Sequence, residues 1–321
     1  MRRAIGELTV QNAVCRLARQ YLNAAIDARK RLKGNSDAEA LHDLRVALRR
    51  LRSCLRAYAP YVVEMIPAKL TKHLRALARE TNAAREAEVQ LAWLHANGKG
   101  LDGSERPGRR WLRARLVLQK NLGYSHVCGE TLAEFDKVTR KFRAALTVAC
   151  AKHVSRGAPR QTSFIAAAAR QIDQYAAVLW QELGVIRSAK DDAAIHAARI
   201  TGKRLRYLLE PLVPAGELIE TLKAFQDQLG ELHDRNVLRS EIVESLAKVS
   251  AHRACHGVRH DPRPGLKRLA QRNNRDATKL YNEILQLYLG RRRRNLIRPI
   301  RDLVRQLESP GRKSTSHDHR A

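Results

Sequence analysis

Two short segments carry the side chains best suited to chemistry. Leu41–Arg52 reads Leu-His-Asp-Leu-Arg-Val-Ala-Leu-Arg-Arg-Leu-Arg, and Ile195–Arg206 reads Ile-His-Ala-Ala-Arg-Ile-Thr-Gly-Lys-Arg-Leu-Arg. They align without gaps at an offset of 154 residues and share the pattern apolar-His-x-x-Arg-apolar-x-x-cation-Arg-Leu-Arg. A helix advances about 100° per residue, so His42, Arg45, Arg49, Arg52 and Arg56 fall within an arc of roughly 80°. Leu41, Leu44, Leu48, Leu51 and Leu55 take the adjoining arc. The second copy sets His196, Arg199, Lys203 and Arg206 in one stripe beside Ile195, Leu205 and Leu209, with Glu210 in place of Arg56. Arg50 and Arg204 complete the repeated pattern. Guanidinium forks hold phosphate oxygens two at a time and stay charged at any physiological pH. Like charges at this spacing repel by about a few tenths of a kcal/mol per pair. Two such stripes therefore call for a compensating anion. Part of it can come from neighbouring acids such as Glu80, Glu86 and Asp234, and the rest from a bound polyanion.

The 154-residue offset taken twice nearly exhausts the 321 residues. A weaker second repeat sets Ala83–Val89 against Glu231–Val237 at an offset of 148. The expected organisation is two homologous halves, 1–157 and 158–308, with a seam at Arg156-Gly157-Ala158-Pro159-Arg160 and a disordered tail over 309–321. The first half reads as helices over about 8–32, 37–58, 67–94, 109–122 and 131–151, with Ser36 or Asp37 as a cap for the second. The second half repeats them over about 164–183, 191–209, 217–246 and 266–307, the last broken near Gly290 or Pro299. The third helix adds Lys72, Arg75 and Arg79 on one arc, whereas its counterpart keeps Lys223 and has Asp227 where Arg79 would be. Scarce Gly and Pro and abundant Ala, Leu and Arg point to an all-α fold of helical bundles.

The charge agrees with the stripes. The chain has 45 Arg and 16 Lys against 32 Asp+Glu, a formal net charge of +29. Such an excess implies a polyanionic partner. Aromatic residues make up 5% of the chain, which is low for a protein that stacks nucleic-acid bases. No run of about 18 apolar residues suggests a membrane span. The five cysteines are odd in number and widely spaced, as expected of reduced thiols in a cytoplasmic protein.

The twice-repeated His-x-x-Arg-apolar-x-x-Arg/Lys-Arg-Leu-Arg pattern resembles the conserved histidine α-helical domain family, CHAD. In that family a Leu-Gly-x-x-Arg-Asp-like signature follows each such helix. Here the second half has Leu229-Gly230-Glu231-Leu232-His233-Asp234, with His233 for the Arg, and the first half has Thr81-Asn82-Ala83-Ala84-Arg85-Glu86. The resemblance spans about residues 5–307. It implies two four-helix bundles related by a pseudo-twofold axis, with a basic groove or pore between them lined from both His/Arg helices. It also implies binding of inorganic polyphosphate, in some bacteria at polyphosphate granules, by a stand-alone member without a fused triphosphate-hydrolysing domain. The residues carried into that expectation are His42, Arg45, Arg49, Arg50, Arg52, Arg56, Lys72, Arg75, Arg79, His196, Arg199, Lys203, Arg204, Arg206 and Lys223.

Other chemistry has weaker support. His42 and His196 are expected to bond phosphate or buttress the stripes, with neighbouring cations holding the imidazoles neutral. His252, Cys255, His256 and His260 cluster without any standard zinc spacing. Gly123-Tyr124-Ser125-His126-Val127 lacks the second Gly of a nucleophile elbow, and no Walker or dinucleotide fingerprint occurs. The basic stripes contain neither a metal-binding acid cluster nor an activated nucleophile, so no enzymatic activity and no cofactor are expected. Two alternatives remain: a basic nucleic-acid-binding protein, and a metal-dependent triphosphate or polyphosphate hydrolase. Arg291–Arg294 either extends the polyanion track or is a solvated segment.

Overall fold

A computed structural model describes residues 4–32, 38–62, 66–155, 162–212, 216–255 and 260–309. The proposed seam, the Ser36/Asp37 cap and the tail beyond Ser309 lie outside these residues. The described residues are helical with no strand, apart from one isolated antiparallel bridge. The helices are α1 (Val10–Arg31), α2 (Ala38–Ala57), a short α3 (Ala59–Val62), α4 (Ala68–Glu80), α5 (Asn82–Asn97) and α6 (Arg106–His126). A π-helical turn over Val127–Thr131 leads into α7 (Leu132–Ser155). There follow α8 (Phe164–Val185), α9 (Asp192–Leu209), α10 (Glu217–Cys255), α11 (Arg263–Tyr288) and α12 (Arg293–Glu308).

The 154-residue offset of the sequence recurs in the helix starts. Helices α1 and α8 have the same length and start 154 residues apart, as do the starts of α2 and α9. In the first half α1 packs on α2 and α7, and α4 packs on α2 and α7. In the second half α8 packs on α9 and α12, and α10 packs on α9 and α12. Four contacts across the halves pair a helix with its own counterpart: α1 with α8, α2 with α9, α5 with α10, and α6 with α11. That self-pairing is the mark of a twofold relation.

The relation is visible at atomic level. Thr9 and Ser163, 154 residues apart, form the bridge; Val10 N donates to Thr162 O at 3.1 Å and Phe164 N returns the bond to Leu8 O at 3.0 Å. The same two residues are the N-caps of α1 and α8, accepting from Asn12 N and Ala166 N. The axis emerges again where two Arg-Pro-Gly starts meet. Gly108 and Gly265 open α6 and α11 and pack backbone to backbone, so a Cβ on Gly265 would strike the Glu105 carbonyl.

The apolar stripes face inward as expected. Leu41, Leu44, Leu48, Leu51, Leu55, Ile195, Leu205 and Leu209 are all buried. Burying such a side chain stabilises by about 1.5–3 kcal/mol. The two halves do not keep separate cores, however. The larger core takes residues from α1, α2, α4 and α7 and from α8, α9, α10 and α12 together. A second core joins Trp93, Leu94, Leu112 and Leu116 of the first half to Leu238, Ile242, Leu266 and Leu269 of the second.

One helix differs from its expected form, and another breaks at one of its two expected positions. The helix expected over 67–94 breaks at Thr81 into α4 and α5, with Thr81 at φ −79°, ψ −3°. Its hydroxyl bonds back to Ala78 O at 2.9 Å, a local competitor of the helical ladder. The long last helix breaks at Gly290, whose φ of +53° favours glycine, while Pro299 is accommodated inside α12.

Candidate functional site

The side chains of α2 and α9 that point away from the cores converge on one groove. Its volume is about 690 Å³, and its walls come from α2, α4 and α5 on one side and α9 and α10 on the other. It is lined by His42, Arg45, Arg49, Arg52, Arg56, Arg79, His196, Arg199, Lys203, Arg204, Arg206 and Lys223 from the residues expected by sequence. Arg85, which keeps the Arg of the family signature, and His233, which replaces it, line it too. The acids on its walls are Glu86, Asp227, Glu231 and Asp234. Cations thus outnumber acids in a partly desolvated space, where charge is least screened.

Three expected residues stand apart from the lining. Arg50 is turned into an ion pair with Glu210 at 3.0 Å and lies over the Tyr207 ring, with its guanidinium carbon 5.7 Å from the centroid. Arg75 is exposed outside the groove but within electrostatic range of Arg52 and Arg56. Lys72 is exposed on α4, also away from the lining.

The two stripes are in electrostatic contact with each other. Burial pushes the Arg45 guanidinium down to about 10, with Arg49, Arg85 and Arg199 acting in the same direction. Arg52 is also pushed down to about 10, by burial and by Arg56, Arg75, Arg49 and Arg79. Lys203 is the most perturbed: burial, Arg199, Arg49 and Arg206 push it down to about 6, against the pull of Asp234. An ammonium buried among guanidiniums loses solvation and gains repulsion, and both disfavour its charged form.

The break at Thr81 has a function in this setting. Arg45 donates through Nη1 to the Thr81 carbonyl and to its hydroxyl at 2.8 Å. In the second half α10 runs unbroken past the corresponding Leu229. Its carbonyls stay in the helical ladder, and the buried Nε of Arg199 has no hydrogen-bond partner among the described residues. A buried donor left this way is costly unless a ligand oxygen meets it.

The histidines occupy equivalent places with different company. His42 is held below its usual value by burial first, then by Arg85, Arg49 and Arg45, while Asp43 opposes. His196 is lowered by burial, then by His233, Arg199 and Lys203. The neutral imidazole expected from surrounding cations is therefore favoured, with burial the larger cause. His233 packs on His196 with the rings tilted by 48° and centroids 4.6 Å apart, and its Nδ1 lies 3.0 Å from Asp192 Oδ1. Its counterpart Arg85 forms an ion pair with Glu88 at 3.2 Å. The offset of 148 identifies these two as partners, and their roles follow from the neighbours each finds in the fold.

Among the described residues, no group of three or more His, Cys, Asp or Glu side chains is placed to hold a metal. The side chains of His252, Cys255 and His256 lie outside the described residues. Cys15 and Cys54 are buried free thiols, and burial pushes Cys54 up to about 12. No described helix is long and apolar enough to cross a membrane.

Fold and groove together define an all-α protein with an arginine-lined cleft between α2 and α9. The CHAD domain matches residues 16–243, and the chain belongs to that family. The match stops within α10, short of α11 and α12. Two solved structures share the fold. The crystal structure of the CHAD domain from the plant Ricinus communis is 16% identical, covering 95% of this chain and 94% of that chain at a TM-score of 0.57. PptA from Streptomyces chartreusis is 15% identical, covering 93% of this chain and 99% of that chain at a TM-score of 0.55. No curated protein is significantly similar in sequence.

Proposed function

We propose that this protein binds inorganic polyphosphate in the groove between α2 and α9, without transforming it, and that it does so at polyphosphate granules. The observation that carries the reading is the convergence of both His/Arg stripes on one desolvated cleft. Polyphosphate carries about one charge per unit, bends freely and offers oxygens on every side. Rigid helices bearing guanidinium forks neutralise several units at once and release their counterions, by analogy with nucleic-acid backbones. The aromatic side chain on the groove wall, Tyr207, lies between Arg50 and Arg206, which leaves little surface for base stacking. Catalysis is not part of the reading, because the lining offers cations and hydrogen-bond donors but no nucleophile paired with a base.

Charge reversal tests it directly. The combined Arg45→Glu, Arg49→Glu, Arg199→Glu and Lys203→Glu variant should lose polyphosphate binding by at least a hundredfold while keeping wild-type helicity by circular dichroism. Retained binding would remove the stripes from consideration. In competition at physiological salt, polyphosphate should displace DNA or RNA at far lower phosphate-equivalent concentration. The opposite order would favour a nucleic-acid partner. Phosphate release from triphosphate or polyphosphate with Mg²⁺ or Mn²⁺ would instead show a hydrolase.

A further inference from the structure

The groove is duplicated in shape but not in charge. At the 154 and 148 offsets, most lining positions keep their sign across the axis: Arg45 with Arg199, Arg49 with Lys203, Arg52 with Arg206. Two lining positions reverse it, and so does one exposed position outside the lining. Arg56 becomes Glu210, Arg79 becomes Asp227, and Lys72 becomes Glu220.

The reversals change what surrounds each end. At the second-half end, Glu210 takes up both Arg50 at 3.0 Å and Arg206 at 3.1 Å. Tyr207 lies against both guanidiniums, and Lys223 meets Glu220 at 3.8 Å. At the first-half end the counterpart of the Arg50–Glu210 pair is Arg204 with Arg56, two cations in place of an ion pair. Both line the groove, whereas Arg50 does not. Arg56 is within range of Arg204 and Arg75, and Arg52 of Arg56, Arg75 and Arg79. Arg56, Arg79 and Arg204 form no ion pair among the described residues, although Glu182 acts on Arg204 through space. One end is therefore a cluster of unneutralised guanidiniums, and the other is close to electrically balanced.

Resting on the proposed polyphosphate reading, we propose that the groove is directional and that its first-half end, around Arg52, Arg56, Arg79 and Arg204, anchors the terminal phosphate of the chain. An interior unit carries about one negative charge. A terminal phosphate has a second ionisation near pH 6, as phosphate monoesters do, and presents three free oxygens at neutral pH. Clustered guanidinium forks favour that group over an interior unit, both by charge and by the number of bidentate contacts it accepts. The balanced second-half end then lets the polymer run out with little added affinity.

Linear tripolyphosphate and cyclic tetrametaphosphate, similar in total charge at neutral pH, separate an end from a mere count of charges. Binding of each, and of long-chain polyphosphate, is measured by calorimetry on the full chain. Wild type should prefer the linear ligand by tenfold or more. Arg56→Gln with Arg79→Asn should collapse that preference, whereas Lys223→Gln at the other end should weaken the linear and cyclic ligands alike. The mirror variant, Glu210→Arg with Asp227→Arg, should tighten linear-ligand binding severalfold by creating a second anchor. Equal affinity for linear and cyclic ligands in wild type, or equal losses from the two ends, would overturn the directional reading while long-chain binding stands. Failure of wild type to bind long-chain polyphosphate would overturn the underlying function instead.

Discussion

Lys203 is the residue whose titration the groove controls most. With its folded pKa near 6 and its unfolded value near 10.4, the unfolded chain holds more protons across that window. Stability of the ligand-free protein should therefore rise with pH from about 6 to about 10. A bound polyanion reverses the balance and recharges the ammonium, so binding near pH 7.5 should take up a proton. Calorimetry in buffers of different ionisation enthalpy should show a buffer-dependent binding enthalpy that Lys203→Met removes; an unchanged buffer dependence in that variant would assign the proton elsewhere. Much of this site was legible in the sequence, because cations at i, i+3 and i+4 spacing must share a face wherever the helix packs. Arg50 was not. Its position in the repeat matches Arg204, and only the packing of α2 on α9 brings it to Glu210.

At the scale of elements, close approaches set how the groove walls meet. Gly202 lets Phe225 pack against α9, where a Cβ would come within 2.8 Å of the ring, and Gln226 reaches the Gly202 carbonyl at 2.8 Å. The Arg-Pro-Gly starts of α6 and α11 do the same on the axis. Gly108→Ala and Gly265→Ala should each destabilise the protein by about 1–3 kcal/mol, through forced separation of two backbones. Denaturant unfolding would measure it, and a neutral effect at Gly265 would mean that the two helix starts can part without cost. The Arg-Pro-Gly repeat was present in the sequence but easily overlooked, since three residues 157 apart carry little pattern and the offset has drifted from 154. The break at Thr81 is harder still to read, because alanine-rich sequence on both sides favours one continuous helix. The break makes sense only once Arg45 is seen to bond the Thr81 carbonyl and hydroxyl.

For the whole molecule, the all-α class and the two-copy organisation follow from periodicity and repetition alone. The joint cores do not, because a helical stripe records that it is buried and not which half buries it. Since both cores draw on both halves, residues 1–157 and 158–321 expressed separately should be poorly soluble, yet copurify as a 1:1 complex when coexpressed. Two independently stable, monomeric halves would contradict the joint cores. The paired N-caps at Thr9 and Ser163 have a further consequence. Two identical subunits meeting on such an axis would be compelled to repeat every charge. Joining both copies in one polypeptide lifts that obligation, so a mutation can alter one wall and leave its image untouched. A structure with the geometry of a symmetric dimer can then hold a ligand that has a head and a tail.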